Sequence, residues 1–239
     1  MFLIATVFEE NAKTYGYRKM YKHLKGSGVK CYENQIEKLM KMAGISPKRK
    51  KKYRVTTNSK HNLPISPNLL KRNFNVEKLN KVWVGDITYI WTREGWLYLS
   101  TVIDLCSRRV VGYSTGKRLT KRLVLESLEN AIKSRKPEKG LIFHSDRGSQ
   151  YASNDFRKLI TKHKIEQSMS RKGDCWDNAV AESFFKTIKC ELTYWQYFRS
   201  RKEAEMKIFE YIEMFYNTRR LHSSIDYISP AAFEKKKVS

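Results

Sequence analysis

The chain has 239 residues, 41% of them hydrophobic and 13% aromatic, which is the composition of a folded protein rather than a disordered one. Its 48 Lys and Arg against 24 Asp and Glu leave a formal charge of +24, far more than solubility requires, and imply a polyanionic partner, of which nucleic acid is the commonest. No run of about 18 apolar residues supplies a membrane span, and "MFLIATVFEE" lacks the basic leader and cleavage site of a signal peptide, so an intracellular protein is expected.

The amino-terminal third is the most basic part: residues 1–80 hold 18 basic and 5 acidic side chains, net +13, whereas 81–239 hold 30 and 19, net +11. Residues 1–46 read as helical, with Ile4, Val7 and Phe8, then Tyr17, Met20, Tyr21 and Leu24 at helical spacing. "GSG" at 26–28 interrupts them, and Ile36, Leu39 and Met40 resume the pattern. Two helices across a glycine turn are by themselves more often plain packing than a helix-turn-helix DNA-binding region, and the basic run that follows raises the second reading. Residues 47–80 read as a basic linker. Lys48, Arg49, Lys50, Lys51 and Lys52 lie in "PKRKKKYR", a set of phosphate contacts or a solvated charge run, followed by the polar, proline-containing "TTNSKHNLPISPN". Cys31, Cys106, Cys175 and Cys190 form no CxxC and no Cys/His ligand spacing, which argues against a zinc site or a disulfide framework and for small buried hydrophobes.

From residue 81 the pattern changes to strands. "KVWVGDITYIW", "GWLYLSTVIDL" and "RRVVGYSTG" are β-rich runs separated by the short turns of a meander. A helix is predicted from Thr120 through Ile132, a fourth strand in "KGLIFHSD", a helix in "NDFRKLITKHK" and a fifth strand in "IEQSMS". This order builds an α/β domain, 81–239, with a mixed five-stranded sheet flanked by helices, the order of an RNase H-like fold, preceded by the small helical region. The carboxyl end is helical again, Ser200 and Glu203 forming a capping box before Ile208, Ile212 and Phe215.

Three acids stand out. Asp86 sits at the centre of "VWVGDITYI", where a carboxylate is costly unless paired, hydrogen-bonded or bound to a metal. Asp146 ends the strand of "GLIFHSDRGSQY", as a reactive group or as a turn-forming Asp. Glu182 lies in "DNAVAESFFKTIKCEL"; at about 100° per residue it shares a narrow stripe with Asn178, Phe185 and Lys189, opposite an arc of Val180, Ala181, Phe184, Ile188 and Leu192 that faces a core. The stripe is expected to face outward, into a cleft or into solvent. Three carboxylates from two strands and a helix suit a pair of Mg²⁺ ions about 3.5–4 Å apart, and hard divalent cations require oxygen ligands.

These residues also carry a family resemblance. Asp86, Asp146 and Glu182, with 35 residues between the last two, resemble the Asp-Asp-Glu signature of retroviral-type integrases and bacterial insertion-sequence transposases. "WVGDITYI", "VIDLCSRRVVGY", "HSDRGSQYAS", "DNAVAESFFKTIKCEL" and "YNTRRLHSSIDYISPAAF" are similar to the second-reading-frame (orfB) protein of the insertion-sequence-three family, and "YGYRKMYKHLKGSGVKCYENQIEKLMKMAGI" resembles its helix-turn-helix region. The resemblance covers nearly the whole chain. It implies Mg²⁺-dependent cleavage of transposon ends and strand transfer of the freed 3′-hydroxyl, with Asp86, Asp146 and Glu182 as catalytic metal ligands for two ions, Mn²⁺ substituting. It places Lys189 near DNA and Asn178 beside the metal site. It further implies DNA ends and target as partners, a homo-oligomer, and a first-reading-frame partner, fused by frameshifting or separate, upstream of where this chain starts. The setting it implies is bacterial cytoplasm at the nucleoid.

Smaller features complete the reading. Asp104 is read as a hairpin or salt-bridging acid, or as a ligand to a displaced metal, and His144 and His222 as structural hydrogen-bonding groups. "MSRKGDCWDN" offers Arg171 and Lys172 as phosphate contacts, and Trp176 either as a base-stacking group of a mobile loop or as an anchor to the core. Lys117, Arg118, Lys121 and Arg122 are further phosphate contacts. Two competing readings, a DNA-binding regulator without activity and a plain Mg²⁺ nuclease, keep the same fold.

Overall fold

The computed structural model describes residues 1–47, 63–172 and 174–238. They form two compact units, one drawn from residues 1–52, 188–196 and 210–239, the other from 53–187 and 197–209. The division expected at 46 and 80 follows chain order, whereas the compact units follow contacts: residues from 210 onward, expected within 81–239, gather with the N-terminal helices.

The unit around 63–187 is built on one sheet. Strands β1 (Val82–Thr92), β2 (Gly95–Asp104) and β3 (Val110–Gly116) are rich in β-branched and aromatic residues, which suit a pleated, half-buried surface. They form an antiparallel meander in which Trp83 to Thr92 of β1 oppose Asp104 to Gly95 of β2. Helix α4 (Lys121–Arg135) leads to β4 (Ile142–Ser145), which runs parallel to β1, and α5 (Asn154–Lys162) leads to β5 (Glu166–Met169), parallel to β4. The order β3-β2-β1-β4-β5 is the mixed five-stranded sheet that the sequence predicts.

Trp83 and Ile87 of β1, Phe143 of β4, Leu128 of α4 and Phe156 of α5 meet in one core. Two glycines make that packing possible. A Cβ at Gly85 would lie 2.4 Å from the Phe143 ring, and one at Gly112 would lie 2.4 Å from the Ser127 carbonyl oxygen of α4. On the other face Leu97 and Leu99 are fully buried, and α7 (Arg201–Phe209) packs against β1 and β2, with Thr115 donating to Glu205 at 3.1 Å. The capping pair forms with a shift: Ser200 Oγ accepts the Glu203 amide, while the Glu203 carboxylate takes the amide of Arg199 at 2.7 Å.

The other unit begins with α1 (Phe2–Glu10), α2 (Tyr17–Gly26) and α3 (Glu33–Met42), packed around Phe8, Met20, Leu24, Ile36 and Met40. Two helices were expected and three are present. The first stretch breaks after Glu10, where Ala12 and Lys13 take positive φ and Asn11 Nδ2 donates to the Val7 carbonyl at 2.8 Å. Neither Gly nor Pro marks that reversal, so turn signals miss it. The rest of this unit comes from far along the chain. Tyr15 Oη donates to the Arg219 carbonyl at 3.2 Å and accepts the Leu221 amide at 3.1 Å. Arg220 pairs with Glu191, and Glu191 also accepts the Tyr211 hydroxyl at 2.7 Å. A π-helical stretch, Glu210–Tyr216, and α8 (Pro230–Val238) complete the unit. Among the described residues no helix is long and apolar enough to cross a membrane.

Candidate active site

Strand alternation explains why an acid interrupts β1. Successive side chains point to opposite faces, so Trp83, Gly85 and Ile87 face the α4 and α5 core while Asp86 turns to the other side, where it is half-buried. Its Oδ1 accepts the Ile87 amide at 2.7 Å. Val84 opposes His144 in the parallel pairing of β1 with β4. Carrying that register two residues further sets Asp146 beside Asp86 on the same face, since faces repeat every second residue. Asp146 stands just past the end of β4 and accepts the Gly148 amide at 2.9 Å, the local bond that lets an Asp make a tight turn. The two charges converge on Tyr151: burial pushes its hydroxyl pKa well above the usual value, and Asp86 and then Asp146 raise it further.

Glu182 comes from α6 (Ala179–Glu191), which follows a 3-10 turn at Cys175–Asn178. The Asn178 side-chain amide donates to the Gly85 carbonyl at 3.3 Å. Glu182 follows one helical turn later. The sequence expectation that this stripe faces outward is corrected in part, because Asn178 and Phe185 are each only 4% exposed. The stripe touches β1 at its start, and Glu182 itself is half-buried. The β1 to β4 pairing ends two residues short of Asp86 and Asp146, and Asn178 ties the start of the Glu182 helix to Gly85; among the described residues no group of three His, Cys, Asp or Glu side chains is gathered closely enough to hold a metal ion.

The donor chemistry nevertheless suits a hard cation. All three acids supply oxygen, and around them Thr88 Oγ1, Thr101 Oγ1 and Asn178 Oδ1 are buried without a hydrogen-bond partner. Thr101 is the cross-strand neighbour of Asp86. Each such oxygen costs about 1–3 kcal/mol, and a divalent cation with its water shell is a partner of the required kind.

Three further polar residues singled out in the sequence make local hydrogen bonds. Asp104 is fully buried, its Oδ1 accepting the amides of Cys106 and Ser107 at 2.9 and 3.0 Å and its Oδ2 that of Asn80 at 2.6 Å, as the hairpin reading expects. His144 lies 2.8 Å from Ser168 Oγ and 3.2 Å from Ser170 Oγ, and burial pulls its pKa down to about 4. His222 Nδ1 lies 2.9 Å from Ser224 Oγ at the start of a 3-10 turn.

The predicted DNA contacts divide. Lys48, Arg49, Lys50, Lys51 and Lys52 lie outside the described residues. Lys172 is exposed, and Trp176 is 68% exposed, which removes the core-anchor alternative. Lys189 lies near the end of α6, in the unit of the N-terminal helices. Arg171 has a structural engagement that the sequence reading missed. Its amide, Nε and Nη2 donate to the fully buried Asp177 at 2.9–3.1 Å, and Arg72 Nε donates to the same carboxylate at 2.9 Å. Arg171 first, then Arg72, hold the Asp177 carboxyl well below the usual carboxylate range. Sequence signals do not reveal this ion pair, because Arg72 is 105 residues away.

Comparison with known proteins gives the family. An integrase core domain family fits residues 77–175, a second integrase core domain family fits 163–230, and an HTH-like domain family fits 1–53. The 31 kDa protein of insertion element IS600 from Shigella sonnei is 46% identical over 224 residues, 94% of this chain and 82% of that one. The transposase for insertion sequence element IS904 from Lactococcus lactis is 41% identical over 97% of this chain and 92% of its own length. The transposase InsF for insertion sequence IS3A from Escherichia coli is 37% identical over 99% and 82%. Among solved structures, a simian T-cell lymphotropic virus intasome chain aligns with TM-score 0.55 at 18% identity, over 74% of this chain and 60% of that one. The HTLV-2 integrase catalytic core in complex with magnesium aligns with TM-score 0.50 at 17% identity, over 64% and 95%. At such identity the two structures speak for the fold, the RNase H-like integrase core.

Proposed function

Because the chain belongs to the insertion-sequence transposases built on an integrase core domain, we propose that it cleaves the ends of its own element and transfers the freed 3′-hydroxyl to a target strand, with Asp86, Asp146 and Glu182 as its metal-holding acids. What supports this reading is the parallel β1 to β4 pairing, which runs to Val84 and His144, two residues before Asp86 and Asp146, together with the Asn178 bond that ties the start of the Glu182 helix to Gly85. Two Mg²⁺ or Mn²⁺ ions, if held there, would supply positive charge for an in-line displacement at phosphorus. The protein side of the reaction is positional. Asp86 on β1 and Asp146 just past the end of β4 would hold the ions, with Glu182 of α6 completing the set. Lys172, Lys189 and the basic run at 48–52 neutralise phosphates, and exposed Trp176 offers a ring to an unstacked base. The structural neighbours support the assembly side: one is an intasome and another a trimeric core with magnesium, and joining two ends requires more than one copy. A first-reading-frame protein, fused or separate, is the further partner, and the bacterial nucleoid is the setting.

Incubating the protein and Mg²⁺ with labelled duplexes that carry the terminal sequences of its own element tests this reading. Joined products are expected. Cut ends alone identify a nuclease, and no product together with intact binding identifies a regulator. Glu182→Gln is expected to lower product by at least about a thousandfold with DNA affinity nearly unchanged; a fully active variant removes Glu182 from the site.

A further inference from the structure

The stretch preceding β1, expected as a linker, is fastened to the catalytic sheet between residues 66 and 72. Ser66 Oγ donates to Gln167 at 3.0 Å, the Pro67 carbonyl accepts the Met169 amide at 3.3 Å, and the amides of Leu69 and Leu70 donate to Ser168 Oγ at 2.9 and 3.3 Å. Lys71 and Arg72 then both take positive φ, at 46° and 64°. Two consecutive non-glycine residues in that region are disfavoured and persist only where their surroundings hold them. Here the reversal delivers the Arg72 guanidinium to Asp177 and Asp174, and Asn68 Nδ2 donates to the other oxygen of Asp177 at 2.9 Å. Arg171 closes the cluster from the far side of the loop, on Asp177 and Asp174. Asp177 is fully buried, and the next residue, Asn178, bonds Gly85.

We propose that Arg72 and Asp177 are positioning residues for Glu182, a latch by which the segment entering the sheet from the helix-turn-helix side fixes where α6 begins. Glu182 lies five residues after Asp177, so the latch and the Asn178 bond together set the first turn of the helix that carries it. A side chain that must join two strand-borne acids is only as well placed as the residues supporting it. Glu182 is the one acid of the three carried by a helix, so the freedom of the first turn of α6 governs how readily metal completes the set. This inference rests on the role proposed for Glu182.

The test uses the full-length chain with Arg72→Met and Arg72→Lys, and reads hydrogen exchange, metal requirement and DNA affinity separately. In Arg72→Met, amides 175–182 are expected to exchange at least tenfold faster without DNA, and the Mg²⁺ concentration for half-maximal end cleavage is expected to rise severalfold. Affinity for the end duplex should stay within twofold. Arg72→Lys, which restores charge but not the paired guanidinium geometry, should recover part of both changes. Unchanged exchange and metal requirement in Arg72→Met, while Glu182→Gln is inactive, overturn the latch and leave the catalytic assignment standing. An active Glu182→Gln instead removes the premise. Should Arg72→Met fail to fold, Asp174→Asn, which loosens only the outer arm, decides by exchange at 175–182: faster supports the latch, unchanged overturns it.

Discussion

The two compact units solve the problem of assembly in different ways. The sheet unit takes most of its elements from a continuous run, β1 to α6, in which hairpins and right-sized helices put each strand beside its neighbour. The N-terminal helices instead share a unit with residues 188–196 and 210–239, joined by Tyr15 to Arg219 and Leu221 more than 200 residues away and by the Arg220 to Glu191 pair. A unit of the first kind is readable from local periodicity. A unit of the second kind is joined in part by buried polar contacts whose partners are invisible to one another in sequence.

Breaking the second kind at its centre should have the largest effect. Glu191 accepts both nitrogens of the Arg220 fork at 2.7–3.0 Å and the Tyr211 hydroxyl at 2.7 Å, with both ion-pair side chains about one-tenth exposed. Glu191→Ala leaves a buried guanidinium without its counter-charge, which costs about 3–5 kcal/mol. Hydrogen exchange should report it as joint loss of protection in α1–α3 and in 210–238, while β1–β4 stay protected. Loss confined to residues near 191 would show that the distant segments are stable apart.

The same contrast explains what the sequence disclosed. Strands β1 to β5 and helices α4 and α5 were legible because Val, Ile, Trp and Tyr runs alternate with amphipathic helices, and because short hairpins leave little choice of neighbour. Asp86 was legible as an acid with no business in an apolar run, and Asp146 as an acid at a strand end. Their register was not, since the paired residues of β1 and β4 are 60 apart and only pairing fixes it. The break at Ala12 and Lys13 was hidden by ordinary residues in an unusual conformation. The outward face of α6 was half right: periodicity found the stripe, but Asn178 and Phe185 lie against protein. The Arg171 to Asp177 pair is invisible in sequence, because an arginine near an active site looks the same whether or not it also grips a buried acid.

The converse perturbation should strike the sheet unit alone. Gly112 has space for no side chain, since a Cβ would sit 2.4 Å from the Ser127 carbonyl and 2.6 Å from the Ala131 nitrogen of α4. Backbone cannot step aside as a flexible side chain can. Gly112→Val should cost about 1–3 kcal/mol or more by overpacking, read as a lower denaturant midpoint and faster exchange in β2, β3 and α4. Protection in α1–α3 should be unchanged; parallel loss there would mean the two units unfold as one.

The smallest effect is set by pH and also belongs to the sheet unit. His144 is fully buried between Ser168 and Ser170, and burial lowers its pKa to about 4 from the ordinary value near 6.5. Between those two values the unfolded chain takes up a proton that the folded chain refuses, so stability falls as pH drops from 6.5 towards 4 and is fully present above 6.5. At pH 5.5 the loss is about 1 kcal/mol. Asp177 does not confuse this window: its pKa is depressed in the fold, so its stabilisation holds above the ordinary carboxylate value near 4 and is lost only below it. Urea midpoints measured from pH 7 to 4.5 should fall for the native chain, and the fall should flatten in His144→Asn, which keeps a polar group for the two serines without the titration. Equal slopes for the two proteins would show that the proton uptake occurs elsewhere and that β4 and β5 are not held together through a neutral imidazole.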